Sequence, residues 1–226
     1  MKREYILVLI IYIAMHLSGI IGPTLLLFTS DMIGYSITPG NAVTSWILMS
    51  FSIAFILILI SLRKEMFDPI RNQEAASPIE SIYWGIGGVF LAFFAQTVAA
   101  TIELALGIEM GSENTQQIVG LIQMAPLVII ITSIIGPILE EIVFRKILFG
   151  VLYKKLNFFL SALISSLIFS IAHGEPEHLI LYGAMGFTFA FLYVKTKRIL
   201  VPIFTHVAMN TIVVILQLNP NLMQNL

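Results

Sequence analysis

Two adjacent carboxylates and two bases interrupt one long apolar run of the chain, residues 138–146 (ILEEIVFRK). In a helix, Glu141 and Arg145 are four residues apart and can form an ion pair along one face. Glu140 points about 100° away from Glu141 and has no obvious local partner. An unpaired carboxylate in apolar surroundings is suited to general-base chemistry. One alternative stays open, that both carboxylates only neutralise Arg145 and Lys146 at a helix end.

Two further polar patches lie in later apolar runs, each with its two groups four residues apart. Phe169 and His173 share one predicted helix face, and His206 and Asn210 share another. Counted from the expected cytoplasmic helix ends, Glu140, both histidines and the asparagine lie roughly 10–22 Å deep. Buried polar groups are costly unless they meet a partner. We therefore expect three helices to bring these side chains together.

Three other polar features receive ordinary structural interpretations. His16 has no acidic neighbour, and a lone histidine in a membrane helix is often hydrogen-bonded to a neighbouring helix. The segment 173–178 (HGEPEH) has the composition of a small metal cluster, but a solvated connection is the more common use of such a turn. Glu103 could face a cavity, although an interfacial carboxylate beside the adjoining loop is the simpler interpretation.

The composition identifies the class of protein in which these residues act. The chain has 226 residues, of which 58% are hydrophobic and 11% are charged, against about 25% charged in a soluble domain. The net charge of −1 gives no basic excess for nucleic acid. Without cysteine, the chain has no disulfide, catalytic thiol or thiolate metal site. A soluble enzyme, a disordered chain and a nucleic-acid binder are excluded, and a polytopic membrane protein remains.

The apolar runs predict an all-α fold, a transmembrane bundle of seven to eight membrane helices in one integral membrane domain, residues 1–226. Each run is continuous and close to the roughly 20 residues that one spanning helix needs. Residues 1–117 would form three N-terminal membrane helices, with a kink at Gly22-Pro23 and a loop from Arg63 to Glu80. The runs are 5–28, 42–62, 81–107, 118–153, 158–173, 178–194 and 199–217.

The positions of lysine and arginine predict the orientation. Four clusters alternate with loops that carry neither residue, which predicts a cytoplasmic N-terminus and an external C-terminus. The run 118–153 is too long for one straight crossing. We expect Gly136-Pro137 to break or kink it, giving one crossing and a re-entrant or interfacial half-helix. The clusters are Lys2/Arg3, Arg63/Lys64/Arg71, Lys154/Lys155 and Lys195/Lys197/Arg198.

Three motifs, in order on separate predicted helices, resemble the CPBP family of intramembrane proteases. They are Glu-Glu-x-x-x-Arg from Glu140, Phe-x-x-x-His ending at His173, and His-x-x-x-Asn from His206. The family includes type II CAAX prenyl proteases and bacteriocin-processing or immunity proteins. The resemblance covers residues 118–217, the expected protease core. One departure is Lys146, where family members often have glycine.

The resemblance implies a role for each motif residue. Glu140 would activate a water, His173 would position or polarise it, and His206 with Asn210 would stabilise the oxyanion. Glu141 would pair with Arg145 and assist the chemistry. The preferred mechanism needs no metal, because the pattern supplies an asparagine and lacks His-Glu-x-x-His. Zinc stays possible, with Glu140, His173 and His206 as its ligands.

The leading hypothesis is an intramembrane endopeptidase that hydrolyses a peptide bond in a membrane-associated peptide or protein. Its partners would be that substrate and the lipid bilayer, with no nucleic acid, and its location the bacterial cytoplasmic membrane. CAAX termini, peptide pheromones and bacteriocin leaders are all substrates that the resemblance allows. Two alternatives stay open: a non-proteolytic immunity or scaffold protein of the same fold, and a proton-coupled transporter.

Overall fold

Helices form almost the whole of the protein. The computed structural model describes residues 1–66, 75–219 and 221, and within these ranges it contains helices and connections but no strand. The helices that lie before the first motif are α1 (Arg3–Met32), α2 (Pro39–Met66), α3 (Pro78–Ala105) and α4 (Glu113–Met124). Those that follow the composite helix α5 (residues 128–152) are α6 (Phe158–Ala172), α7 (Leu179–Thr196) and α8 (Leu200–Leu218).

Helix α5 carries the first motif and alternates between two helix types. It runs without a break through Val128–Ile130 (α), Ile131–Ile135 (π), Gly136–Glu140 (α), Glu141–Phe149 (π) and Gly150–Leu152 (α). π-Helical turns are rare and are frequent at functional sites. The two adjacent glutamates lie where the second π segment begins, so the first motif is built into this unusual geometry.

The break predicted at Gly136-Pro137 lies elsewhere, at Ala125-Pro126, and a kink at Gly136-Pro137, the other expected outcome, stays a prediction. The backbone at Gly136 is helical, with φ −54° and ψ −60°, whereas Ala125 before Pro126 is extended, with φ −143° and ψ 94°. Proline clashes with the Cβ of the residue before it, and glycine has no Cβ. The chain therefore leaves the helix at Ala125-Pro126, after the 12-residue helix α4, which at about 18 Å is too short to cross a bilayer.

Long apolar helices confirm the predicted all-α polytopic membrane fold. Within the described ranges, five segments are long and apolar enough to span a membrane: Arg3–Met32, Pro39–Glu65, Pro78–Ala105, Pro176–Thr196 and Leu200–Leu218. The shorter apolar helix α6 and the segmented helix α5 complete the bundle. The chain is an integral membrane protein.

Small residues bring the helices of the bundle close together. A Cβ added to Gly186 of α7 would lie 2.3 Å from the Ser166 hydroxyl of α6, and one added to Gly88 of α3 would lie 2.6 Å from Thr205 of α8. Close approach at small residues is the usual way for membrane helices to pack. At Gly22, an added Cβ would overlap the ring of Trp46. Helix α1 continues through Pro23, and a kink there stays a prediction.

Two residues of the basic clusters form contacts beside the segment that joins α2 and α3. Lys2 forms an ion pair with Glu65 at the end of α2, and the Arg198 guanidinium donates to the Ala76 carbonyl oxygen at 2.6 Å. The predicted loop from Arg63 to Glu80 is shorter than expected, because α2 extends to Met66 and α3 begins at Pro78. Residues 67–74, including Arg71, lie outside the described residues.

Candidate active site

The centre of the site is a buried ion pair within α5. Arg145 Nε lies 3.2 Å from Glu141 Oε2, and both side chains are fully buried. This contact is the one predicted from the four-residue spacing. The other oxygen of Glu141 lies 3.0 Å from Nδ1 of His206, on α8. One carboxylate therefore joins the first and third motifs.

Aromatic rings enclose the rest of the guanidinium. The Arg145 Cζ atom lies 4.5 Å from the ring centre of Phe169 and 5.3 Å from that of Phe189. Within the described residues, neither terminal nitrogen of Arg145 has a hydrogen-bond partner. Cation–π contacts therefore replace hydrogen-bond acceptors around the guanidinium and partly compensate the desolvation of its positive charge.

Glu140 is the more accessible of the two glutamates. Its side chain is 21% exposed, and its Oε2 lies 3.7 Å from Nε2 of His206, beyond hydrogen-bond range. Glu141 is fully buried and is bonded to the other nitrogen of the same ring. The two adjacent carboxylates thus lie at opposite edges of the His206 imidazole. Glu140 is the one that is partly exposed and makes no hydrogen bond from its carboxylate within the described residues.

His173 lies at the end of α6, where its ring is oriented by the second motif. Its Nδ1 lies 2.8 Å from the backbone carbonyl oxygen of Phe169, so this nitrogen carries the proton of a neutral ring. The Phe169 ring packs edge-on against the imidazole at a centroid distance of 4.4 Å. The Nε2 atom is left with its lone pair available for a water molecule or a metal.

A cavity of 560 Å³ connects the second and third motifs, within the usual range of roughly 300–1,000 Å³ for ligand pockets. His173, His206 and Asn210 all line it, and neither glutamate of the first motif does. The Asn210 side chain makes no hydrogen bond within the described part of the chain, so its amide is free to donate into the cavity. Glu140 reaches this group of residues through its approach to His206.

The cavity extends from the histidines to the end of the bundle where α3 and α8 finish. Glu103, near the end of α3, lines this part and is 2% exposed. It accepts hydrogen bonds from the backbone N–H of Leu181 at 2.9 Å and from His178 Nδ1 at 2.8 Å. The carboxylate faces the cavity, which is one of its two interpretations from the sequence, and it fixes the beginning of α7.

Glu175 is a second buried carboxylate, in the loop between α6 and α7. It accepts hydrogen bonds from the Ser112 hydroxyl at 2.8 Å, the Asn114 backbone N–H at 3.0 Å and the Tyr182 phenol. Burial raises the pKa of the Glu175 carboxyl, but these bonds outweigh it and hold the pKa below its ordinary value. Three of the six residues of segment 173–178 are exposed, as in the predicted solvated connection, but its buried Glu175 fixes the start of α4.

The same loop contains a group of possible metal ligands. Within the described residues, Glu175, Glu177 and His178 place ligand atoms within 4.8 Å of one another. Both nitrogens of His178 are already engaged, by Glu103 and by the Gly111 carbonyl oxygen at 2.8 Å. The carboxylate of Glu175 is occupied as well. These hydrogen bonds explain the cluster without a metal.

The three possible zinc ligands have suitable chemistry, but their ligand atoms lie farther apart than those of the loop group. His173 and His206 each engage Nδ1 in a hydrogen bond and leave Nε2, as zinc-binding histidines do. Together with Glu140 they do not form a group with ligand atoms within 4.8 Å in the described part of the chain. If zinc bound here, these three residues would hold it and polarise a water.

Several residues of the site were not predicted from the sequence. The Phe189 ring of α7 stacks on His206 at a centroid distance of 4.6 Å, and the Tyr182 ring stacks on His173 at 4.1 Å. His16 lacks the expected interhelical hydrogen bond within the described residues, and its ring packs edge-on against Tyr12 at 4.6 Å. The aromatic residues of α7 were the signal that could have identified Phe189 and Tyr182, but aromatic residues are too common in membrane helices to be distinctive.

Comparisons with known proteins agree with the motifs. A family model described as type II CAAX prenyl endopeptidase Rce1-like matches residues 122–212, which include every motif residue. The chain is 49% identical to a putative membrane peptidase YdiL of Bacillus subtilis, over 97% of this chain and 91% of that protein. It is 36% identical to a membrane-embedded CAAX protease MroQ of Staphylococcus aureus, over 73% of this chain and 70% of that protein.

No solved structure matches the chain significantly. The resemblance that the three motifs carry is confirmed by the matches to the family model and to the two relatives. The match to the family model lies within the part of the chain that supplies α5 to α8, where the buried ion pair and both cavity histidines lie. The chain therefore belongs to the Rce1-like family of type II CAAX prenyl endopeptidases, a family of membrane proteases.

Proposed function

We propose that this protein is an intramembrane endopeptidase of the glutamate type. Its substrate is a membrane-associated peptide or protein that reaches the cavity from the end of the bundle where α3 and α8 finish. One observation carries the proposal: His206 lies between Glu140 and Glu141 and also lines a cavity with His173 and Asn210. The protease names of the family and of both relatives support the same reaction class.

Glu140 is the general base in this mechanism. It takes a proton from a water molecule, and the resulting hydroxide attacks the carbonyl carbon of the scissile bond. The lone pair of His173 Nε2 accepts a hydrogen bond from the same water and so orients it. The protonated Glu140 then gives its proton to the leaving amine as the carbon–nitrogen bond breaks, which returns the carboxylate to its starting state.

His206 and Asn210 stabilise the oxyanion of the tetrahedral intermediate. Asn210 donates from its amide. His206 donates from Nε2, which requires the protonated ring because its Nδ1 proton is already given to Glu141. Donors of this kind act strongly in a site of low dielectric constant.

In this proposal, the orientation predicted from the basic clusters decides from which side of the membrane the substrate enters the cavity. With a cytoplasmic N-terminus, the ends of α3 and α8 and the start of α7 face the outside of the cell. The substrate then enters from the external side, beneath the loop that Glu175 anchors. The location is the bacterial cytoplasmic membrane, in keeping with the bacterial origin of both relatives.

Replacement of Glu140 by glutamine tests the proposal. Membrane fractions of cells with the wild-type protein and with Glu140→Gln are compared by quantitative mass spectrometry of protein termini. We expect an uncleaved precursor to accumulate in the variant while the protein itself remains at its normal level. Glu113→Gln is the matched control, because Glu113 is exposed and lies outside the cavity lining.

Identical termini in the wild-type and Glu140→Gln membranes would contradict the mechanism. A scaffold function would have a different signature, a biological phenotype that survives replacement of both Glu140 and His206. The double variant is therefore made in parallel with the single one.

A further inference from the structure

Tyr182 covers one face of His173. The two rings are nearly parallel, with an angle of 29° between them and a centroid distance of 4.1 Å. Tyr182 lies in the first turn of α7, and His173 is the residue that follows the last turn of α6. The contact thus spans the loop between these helices and joins a motif residue to one outside the motifs.

The phenol of Tyr182 is itself held in place. Its hydroxyl donates to Glu175, a carboxylate that is 5% exposed and that also accepts from the Ser112 hydroxyl at 2.8 Å and the Asn114 N–H at 3.0 Å. These donors come from the start of α4, so two other segments of the chain, α4 and α7, converge on this one carboxylate. A phenol bonded to such an anchor has little freedom to swing away from the imidazole.

The remaining contacts of His173 would not fix its ring alone. The hydrogen bond from Nδ1 to the Phe169 carbonyl oxygen restrains one edge, and the Phe169 ring packs against it edge-on at 4.4 Å. His173 also lies at the end of its helix, directly before Gly174 with φ +74°, so the next turn of helix is missing. The Tyr182 ring supplies the flat surface that prevents rotation of the imidazole.

We propose that Tyr182 is a positioning residue for His173 and that Glu175 is the anchor that keeps Tyr182 on the imidazole. This inference rests on the proposed function for its effect on catalysis. The stacked phenol holds the His173 ring in the orientation in which Nδ1 donates to the Phe169 carbonyl oxygen, and the Nε2 lone pair is kept toward the water that Glu140 activates. Misplacement of a catalytic group by about 1 Å can reduce a rate by about 100-fold.

The first test is spectroscopic and needs no substrate. The chain has four histidines, so ¹⁵N-histidine labelling of the purified protein in detergent gives a spectrum that single histidine variants can assign. At pH 8 we expect wild-type His173 to show the neutral ring protonated at Nδ1. Tyr182→Leu should give a mixture of tautomers at His173, and Tyr182→Phe, which keeps the ring but loses its bond to Glu175, should give a smaller change in the same direction.

The second test is kinetic and uses the precursor that accumulates in Glu140→Gln membranes. We expect Tyr182→Leu to lower kcat by about 10–100-fold with KM nearly unchanged. Tyr182→Phe and Glu175→Gln should each cause a smaller loss of kcat. Tyr193→Leu, a matched change in the same helix where Tyr193 packs near Phe149, controls for general damage to α7.

Three results would overturn the inference. These are an unchanged His173 signature in Tyr182→Leu, a rise in KM with unchanged kcat, and an equal loss of kcat in Tyr193→Leu. The second would make Tyr182 only a substrate contact. If wild-type protein cleaves nothing, the proposed function fails, and the spectra still decide whether Tyr182 positions His173.

Discussion

Glu141 binds Nδ1 of His206 through one carboxylate oxygen, at 3.0 Å, and uses the other for Arg145, at 3.2 Å. All three side chains are buried. A charge of this kind is costly to leave without its partner, whereas removal of a whole buried pair is often close to neutral. The effect of losing this contact on stability can therefore be measured separately from its effect on catalysis.

Removal of the Glu141 charge should destabilise the fold. We expect Glu141→Gln to lower the free energy of unfolding by about 3–5 kcal/mol, because the Arg145 guanidinium then lies buried without a counter-ion. Thermal unfolding in detergent measures the loss. The double variant Glu141→Gln/Arg145→Met should regain most of the stability, and a double variant no more stable than Glu141→Gln would contradict this explanation.

Asn210 should affect catalysis without affecting stability. Its side chain lines the cavity and makes no hydrogen bond within the described residues. We expect Asn210→Ala to lower kcat by about 10²–10³-fold, the usual effect of losing one oxyanion donor, with an unchanged melting temperature. Asn219→Ala, in an exposed position just beyond the same helix, is the control and should keep full activity. Normal turnover by Asn210→Ala would remove the asparagine from the mechanism.

The metal-free mechanism predicts activity that resists chelation. Purified protein treated with 1,10-phenanthroline and then dialysed against EDTA should cleave its substrate at the original rate. Elemental analysis of the same sample should find less than one zinc per chain. Activity that is lost on chelation and returns with zinc would instead support Glu140, His173 and His206 as ligands.

The Glu175 anchor predicts an acid-dependent loss of stability. Because its pKa is lower in the folded protein than the ordinary value of 4.5, its contribution is fully present above about pH 4.5 and is lost as the pH falls through the folded value. At pH 7 we expect Glu175→Gln to be about 1–3 kcal/mol less stable than the wild type. Unfolding curves between pH 7 and pH 3 should show this difference shrinking, and a constant difference would contradict the role of the carboxylate charge.

Local spacing was sufficient to predict which residues share a helix face in the first two motifs. Glu141 with Arg145 and Phe169 with His173 are four residues apart, and such pairs are neighbours on a helix. The π-helical geometry that begins at Glu141 was not predictable, because it depends on packing against other helices. The predicted break failed for a local reason, since Gly136 tolerates a following proline that Ala125 does not.

The outer part of the site could not be predicted from local patterns. Glu103 and His178 are 75 residues apart in sequence, and Glu175 and Ser112 are 63 apart. No periodicity connects such residues. The tertiary fold makes them partners, which is why the hydrogen bonds of Glu103 and Glu175 were not predicted.

The buried pair also bears on how the protein enters the membrane. A charge at the centre of a bilayer costs about 2.5–3.5 kcal/mol on insertion scales, and α5 carries Glu140, Glu141 and Arg145 in its interior. We expect its stable insertion to depend on the later helices, which supply the rings of Phe169 and Phe189 and the imidazole of His206. A chain truncated after α5 should therefore be a substrate for membrane quality control.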